Sequence, residues 1–195
     1  MKVGIMGGTF DPIHTGHLLA AEWAREEAGL EEVWFMPAGV PPHKPNAPKA
    51  SADERLALVQ AAIAGHDSFR ICGIELEREG PSYTADTMEE LVQRHPGVQF
   101  SYIIGADMVQ FLPHWNRIER LAELITFVGL QRPGYPLELE ELPEAIGRRV
   151  QLVPFIGLEL SSTEIRRRLA SGRSVRYMVP EPVYTLIREK GLYGS

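Results

Sequence analysis

The sequence predicts an α/β protein built on a doubly wound, mostly parallel sheet covered by helices on both faces. Three observations carry that expectation. Short apolar runs alternate with amphipathic stretches along the whole chain. The first 36 residues hold strand, helix and strand, the size of one βαβ unit, whose crossover should be right-handed. The first apolar run ends in Gly7-Gly8 where a helix should begin, the usual form of a strand-to-helix turn.

In order, Val3-Gly4-Ile5-Met6 is the first strand and Thr15 to Ala28 the first helix, with Leu18, Leu19, Ala21, Trp23 and Ala24 in helical spacing and Gly29 as its C′ residue. Val33-Trp34-Phe35-Met36 is the second strand. Pro37 to Lys49 holds five prolines with His43, Lys44 and Lys49 and reads as a basic surface loop. Ser51 and Glu54 form a capping box for a helix whose stripe is Leu56, Val59 and Ile63. Phe69 to Leu76 reads as extended. Gly80-Pro81-Ser82 breaks the chain before a helix with Met88, Leu91, Val92 and His95 on one face, ended by Pro96-Gly97. Phe100 to Ile104, Thr126 to Gly129 and Leu152 to Phe155 are the remaining strands. Helices from about Ser162 to Leu169 and Pro180 to Lys190 close the chain, the last stopped by Gly191.

Composition narrows the function classes. The 195 residues are 44% hydrophobic and 24% charged, which suits one domain spanning 1–195 with an ordinary buried core. The single Cys72 can form neither an internal disulfide nor a cysteine-based zinc site. No run approaches the roughly 20 apolar residues of a membrane helix, and the first apolar run turns polar at Asp11, so neither a membrane nor a secretory signal is expected and the location expected is cytoplasmic. Lys+Arg 20 against Asp+Glu 26 leaves a net charge of −6, which argues against nucleic acid as a partner while leaving room for a local basic patch. The oligomeric state is not readable from the chain.

The densest chemical signal is Gly7-Gly8-Thr9-Phe10-Asp11-Pro12-Ile13-His14-Thr15-Gly16-His17. Glycines let the backbone approach a ligand closely, and a helix N-terminus favours phosphate. Neither G-x-G-x-x-G nor G-x-x-x-x-G-K-[ST] is present. His14 and His17, three apart, can point from one helical turn to one spot, as donors to a phosphate chain or as capping groups. A zinc reading lacks a third and fourth ligand, and H-E-x-x-H is absent. The second constellation is Leu160-Ser161-Ser162-Thr163-Glu164-Ile165-Arg166-Arg167-Arg168. It reads either as a well-capped helix, with Ser161 and Glu164 as a second capping box, or as a phosphate cradle with Arg166 one turn in. Of the three arginines at least one should be a solvated surface charge.

Together, G-x-F-D-P-x-H-x-G-H from Gly8 to His17 and S-S-T-x-I-R from Ser161 to Arg166 resemble the nucleotidyltransferase superfamily of the T/H-x-G-H motif. Pro41-Pro42-His43-Lys44, Pro81-Ser82-Tyr83-Thr84-Ala85-Asp86-Thr87, Ile104-Gly105-Ala106-Asp107 with Trp115, Gln131-Arg132-Pro133-Gly134-Tyr135 and Gly191-Leu192-Tyr193 extend the likeness to the bacterial nicotinate-nucleotide adenylyltransferases. The resemblance implies a Rossmann-like nucleotidyltransferase fold, its C-terminal helical part (about 160–195) completing the nucleotide site. It also implies an enzyme of NAD biosynthesis in which ATP and nicotinate mononucleotide give nicotinate adenine dinucleotide and pyrophosphate, with magnesium carried by the triphosphate and no protein metal ligand. His14, His17, Lys44 and Arg166 would be the catalytic residues. Gly7, Gly8, Thr9, Phe10, Gly105, Asp107, Ser162 and Thr163 would bind ATP, and Tyr83, Thr84, Trp115 and Arg132 the mononucleotide. Trp115 alone would read equally as a core residue, and Arg132 as an exposed turn. An adenylyltransferase for nicotinamide mononucleotide or phosphopantetheine, or a non-catalytic nucleotide sensor, are the competing readings.

Overall fold

The computed structural model describes residues 1–39, 47–78, 80–132, 134 and 139–195. Its centre is a six-stranded sheet: β1 (Lys2–Gly8), β2 (Glu32–Pro37), β3 (Phe69–Ile71), β4 (Gln99–Gly105), β5 (Thr126–Gln131) and β6 (Val150–Pro154), in the order β3-β2-β1-β4-β5-β6. Every neighbouring pair is parallel. The helices are α1 (Thr15–Glu27), α2 (Ala52–Ile63), α3 (Thr84–Arg94), α4 (Ala106–Val109), α5 (Ile118–Leu124), α6 (Glu144–Gly147), α7 (Ser162–Ala170) and α8 (Glu181–Glu189), with short 3₁₀ turns at Leu112–His114, Leu139–Glu141 and Leu192–Gly194.

The doubly wound expectation is met, and the reason lies in the strands. Val3, Ile5, Val33, Phe35, Phe127 and Val128 are buried to within about 1% of full enclosure, as strands covered on both faces must be. On one face Ile103, Val128 and Val153 pack with residues of α1, α2, α7 and α8. On the other, Val3, Ile5, Tyr102 and Phe127 pack with Met88 and Leu91 of α3 and Leu121 of α5. Gly29, at φ +62°, ends α1 as expected, and Gly191, at φ +61°, ends α8. Ser51 and Glu54 make both halves of the capping box at α2, at 3.2 and 2.7 Å.

Three local expectations are corrected. The extended run expected over Phe69 to Leu76 pairs only to Ile71, because the Leu76 amide bonds back to the Gly73 carbonyl and the turn buries Ile74 and Glu75. The buried stripe of α2 is Arg55, Leu58, Val59 and Ile63; Leu56 is only half-buried. At α7 Ser161 caps the Glu164 amide at 3.2 Å, but the Glu164 carboxylate does not return to Ser161: it pairs with Arg167 at 2.8 Å, leaving half a capping box.

β1 and β4 lie side by side in the centre, and their outgoing connections run to opposite sides of the sheet. A crevice opens at the carboxyl ends of such strands, where loops part in opposite directions. Gly7, Gly8 and Gly105 therefore stand at its mouth.

Candidate active site

The crevice has two lobes, which share Met6, Ile103, Ile104 and Gly105. The first, about 540 Å³, is lined by Gly7, Gly8, Thr9, Ser82, Tyr83, Thr84, Tyr102 and Trp115. The second, about 360 Å³, is lined by His14, His17, Arg132, Leu160, Ser161 and Ser162. Residues 150 positions apart in the chain thus meet around the end of β1, where the Ser162 hydroxyl donates to the Pro12 carbonyl at 2.8 Å.

The backbone at Gly7 passes so close to β4 that a Cβ there would stand 1.9 Å from Tyr102 Oη, so only glycine fits. A Cβ on Gly8 would meet the Phe10 ring at 3.0 Å. Phe10 itself has φ +50°, a costly conformation for a phenylalanine, and its buried ring meets His17 edge-on at 5.1 Å between centroids.

His14 and His17 are stacked, ring centroids 3.6 Å apart and planes within 20°. Burial holds His14 down to about 4 and, with His14 beside it, His17 down to about 3, so both rings are neutral at pH 7. The His14 backbone N–H donates to His17 Nδ1 at 3.2 Å. That bond makes Nδ1 the acceptor and puts the ring proton of His17 on Nε2. His14 Nδ1 is buried with no partner among the described residues. The pair is therefore a set of neutral hydrogen-bond groups, poised for charge that arrives with a ligand.

Arg166 reaches the same turn: its Nη1 donates to the Asp11 carbonyl at 2.7 Å and its Nη2 to Thr163 Oγ1 at 3.3 Å. Arg167 is the solvated charge, paired with Glu164, and Arg168 caps the Ser174 carbonyl. Thr163 is exposed at the first turn of α7. Asp107 is exposed in the first turn of α4, its Oδ1 beside Gly105. Lys44 lies outside the described residues.

In the first lobe Thr84, at the start of α3, and Tyr102 of β4 share the lining. Trp115 is half-buried, edge-on to Tyr102 at 5.8 Å and to Phe127 at 6.3 Å, so it is a wall of the lobe rather than a core residue. Arg132 does not join Tyr83, Thr84 and Trp115; it is exposed and lines the second lobe. The lone Ser82 Oγ, buried and without a partner among the described residues, also lines the first lobe.

Sequence reasoning missed three residues around these lobes. Asp11, 4% exposed, accepts the Lys49 and Ala50 amides at 2.8 and 3.0 Å and the Tyr193 hydroxyl at 2.9 Å. Arg55, 2% exposed, lies behind Thr9. Glu75 accepts the Thr87 hydroxyl at 3.0 Å, and burial raises its carboxyl above the usual range. Arg55 had a signal: it stands at i, i+3 and i+4 to Leu58 and Val59, a charged residue in an apolar stripe.

A parallel sheet in this order, with a glycine turn, two neutral histidines and a serine-capped helix at its switch point, defines a nucleotide-binding α/β protein suited to phosphate chemistry. The cytidylyltransferase-like family profile matches residues 5–168. The chain belongs to that family. Within it the chain stands among the nicotinate-nucleotide adenylyltransferases: it is 48% identical over its whole length to 87% of a Geobacillus kaustophilus protein named "Probable nicotinate-nucleotide adenylyltransferase", and 49% identical end to end with one of the same name from Exiguobacterium sibiricum. The fold is shared with a Plasmodium falciparum nicotinic acid mononucleotide adenylyltransferase solved in complex with NaAD, at a TM-score of 0.75 and 19% identity, covering 99% of this chain and 97% of that one.

Proposed function

We propose that the protein transfers the adenylyl group of ATP to nicotinate mononucleotide, giving nicotinate adenine dinucleotide and pyrophosphate, in the cytoplasm and as one domain whose residues 160–195 complete the nucleotide site. The observation that carries it is the neutral His14–His17 pair lining one of two adjoining lobes, each of mononucleotide scale. No described helix is long and apolar enough to cross a membrane. The names of the relatives point to the same reaction.

A phosphate oxygen of the acceptor attacks the α-phosphorus of ATP; the bond from that phosphorus to the bridging oxygen breaks, and pyrophosphate leaves with the electron pair. No protein nucleophile is required. The turn Gly7, Gly8, Thr9 and Phe10 lets the phosphates approach the backbone, and His17 Nε2–H with His14 donates to the α and β groups as their charge grows. Arg166 adds fixed positive charge, and Lys44 is assigned the same part by its motif alone. The first-turn amides of α7 at Ser162 and Thr163 receive the β and γ phosphates, the Ser162 hydroxyl being engaged with Pro12. Gly105 and Asp107 take the adenosine; Arg132, by its position in the second lobe, belongs with the ATP side.

Magnesium fits as an ion carried by the triphosphate and water. The cleft offers donors to phosphate, and among the described residues no group of three or more His, Cys, Asp or Glu side chains is placed to hold a metal. When bound, the ion neutralises charge on the phosphate chain.

The pyridine ring is assigned to Trp115 and Tyr83, with its carboxylate at the start of α3. Tyr83 gives the first-turn amides no side-chain cap, and the Ser82 hydroxyl is a further donor. A carboxylate has acceptors only, whereas the amide of nicotinamide mononucleotide turns an NH₂ toward donors. One such mismatch costs about 1–3 kcal/mol, so the acid should be preferred at least roughly tenfold. The test is pyrophosphate release with ATP, magnesium and each of nicotinate mononucleotide, nicotinamide mononucleotide and phosphopantetheine. Equal efficiency with the first two would move the assignment to a dual-specificity enzyme, and no release with any would leave a nucleotide sensor.

A further inference from the structure

Arg55 is a guanidinium enclosed in the protein, 2% exposed, in the first turn of α2. Its Nη1 donates to the Thr9 and Ala38 carbonyls, both at 2.8 Å, and its Nε is buried without a partner among the described residues. Burial disfavours its charge, and nearby Asp11 opposes that effect. A cation this enclosed, bonded to neutral carbonyls and not fully satisfied, is expensive to keep.

Its two partners say what it does. Thr9 and Ala38 both line the first lobe, one after β1 and one after β2, and the Ala38 amide donates to Gly8 at 2.8 Å. In a trans peptide the carbonyl and the following N–H point in opposite directions, and among the described residues the one cis bond is Asp11–Pro12. Drawing the Thr9 carbonyl back to Arg55 therefore turns the Phe10 N–H away from it, and drawing back the Ala38 carbonyl turns the Gly39 N–H away, where the Glu75 carboxyl takes it. One guanidinium thus fixes the direction of two peptide groups in the wall of the cleft, and places a positive charge behind that wall, where solvent screens it least.

We propose that Arg55 is a positioning residue of the phosphate site: its Nη1 aims the Thr9–Phe10 peptide and its buried charge raises the affinity of that turn for a phosphate chain. The proposal rests on the nucleotidyl-transfer reading and deepens it. Arg55 touches no substrate; it acts through the turn. Lysine keeps the charge but presents a single ammonium in place of the planar fork.

Pyrophosphate and ATP titrated calorimetrically into wild type, Arg55→Lys and Arg55→Met, alongside thermal melts and the acceptor KM, test it. In Arg55→Met the dissociation constant for pyrophosphate should rise at least about tenfold, and in Arg55→Lys by a smaller factor of about three or more, while the acceptor KM rises by a smaller factor than the pyrophosphate constant in both. A folded Arg55→Met with wild-type pyrophosphate affinity, or an acceptor KM that rises as much as the pyrophosphate constant, would overturn the proposal. If Arg55→Met does not fold, Arg55→Lys decides: wild-type affinity there rejects the positioning role. Wild-type protein that binds neither pyrophosphate nor ATP would reject the nucleotidyl-transfer reading itself, a different result from any of these.

Discussion

Replacing Asp11 by asparagine isolates one buried carboxylate that holds three donors. Oδ2 takes the Lys49 amide at 2.8 Å; Oδ1 takes the Ala50 amide at 3.0 Å and the Tyr193 hydroxyl at 2.9 Å. An asparagine keeps its single oxygen best where two donors meet, so its NH₂ must face the Lys49 N–H. That loses a hydrogen bond to a charged group and buries a donor against a donor, at a cost of about 2–3 kcal/mol. For a chain of this length 1 kcal/mol moves Tm by about 2–4 °C, so Asp11→Asn should melt roughly 4–12 °C below wild type. Tyr193→Phe removes only one of the three donors and should fall by less. Differential scanning calorimetry of both variants at pH 7 reads the difference. An Asp11→Asn protein melting within about 1 °C of wild type would refute the reasoning, since the carboxylate would then be replaceable by any polar group of its shape.

Three further expectations follow from the site. His17→Ala should lower turnover about 10²-fold or more with a much smaller change in the ATP KM, because its Nε2–H meets charge that develops in the transition state; near-native turnover with a raised KM alone would contradict it. His14 and His17 take up protons at about 4 and 3 in the fold, against about 6.5 when unfolded, because burial disfavours the charged rings. The unfolded chain therefore binds more protons below neutrality, and the stability due to this pair is fully present above about pH 6.5 and lost as pH falls through 4 and 3. Melts from pH 7 to 4 should show a shallower decline in a His14→Asn/His17→Asn double variant than in wild type, and equal slopes would contradict the assignment. Gly7→Ala puts a methyl group on Tyr102 Oη and should cost about 1–3 kcal/mol. Adding Tyr102→Phe should recover part of that loss in a double-mutant cycle, and full additivity would place the strain elsewhere.

The parts of the molecule that could be read in advance are those where local chemistry decides. Apolar runs gave the strands because each lies covered on both faces, and Ser51 with Glu54 named its own helix start because the cap is made between neighbours in sequence. The glycine turn with His14 and His17 was legible for the same reason: its donors are consecutive. Arg55 was passed over because an arginine in the first turn of a helix ordinarily faces water, and only the carbonyls of Thr9 and Ala38 make it an interior group. The turn at Glu75 was read as extended because burial of that carboxyl depends on Thr87, twelve residues away. Arg132 lines the second lobe and not the one with Tyr83, Thr84 and Trp115, a separation that chain position does not reveal.

The hydroxyl of Tyr193 reaches Asp11 across 182 positions of chain. A contact of that span is slow to close: on a ribosome the glycine turn and its helix emerge first, and the carboxylate beneath them stays short of one donor until residue 193 has been made. Until then, of these three donors, Asp11 has the Lys49 and Ala50 amides to hold. A pull on Tyr193 would act on the far end of this same bond, and so on the turn where the phosphates are expected to sit.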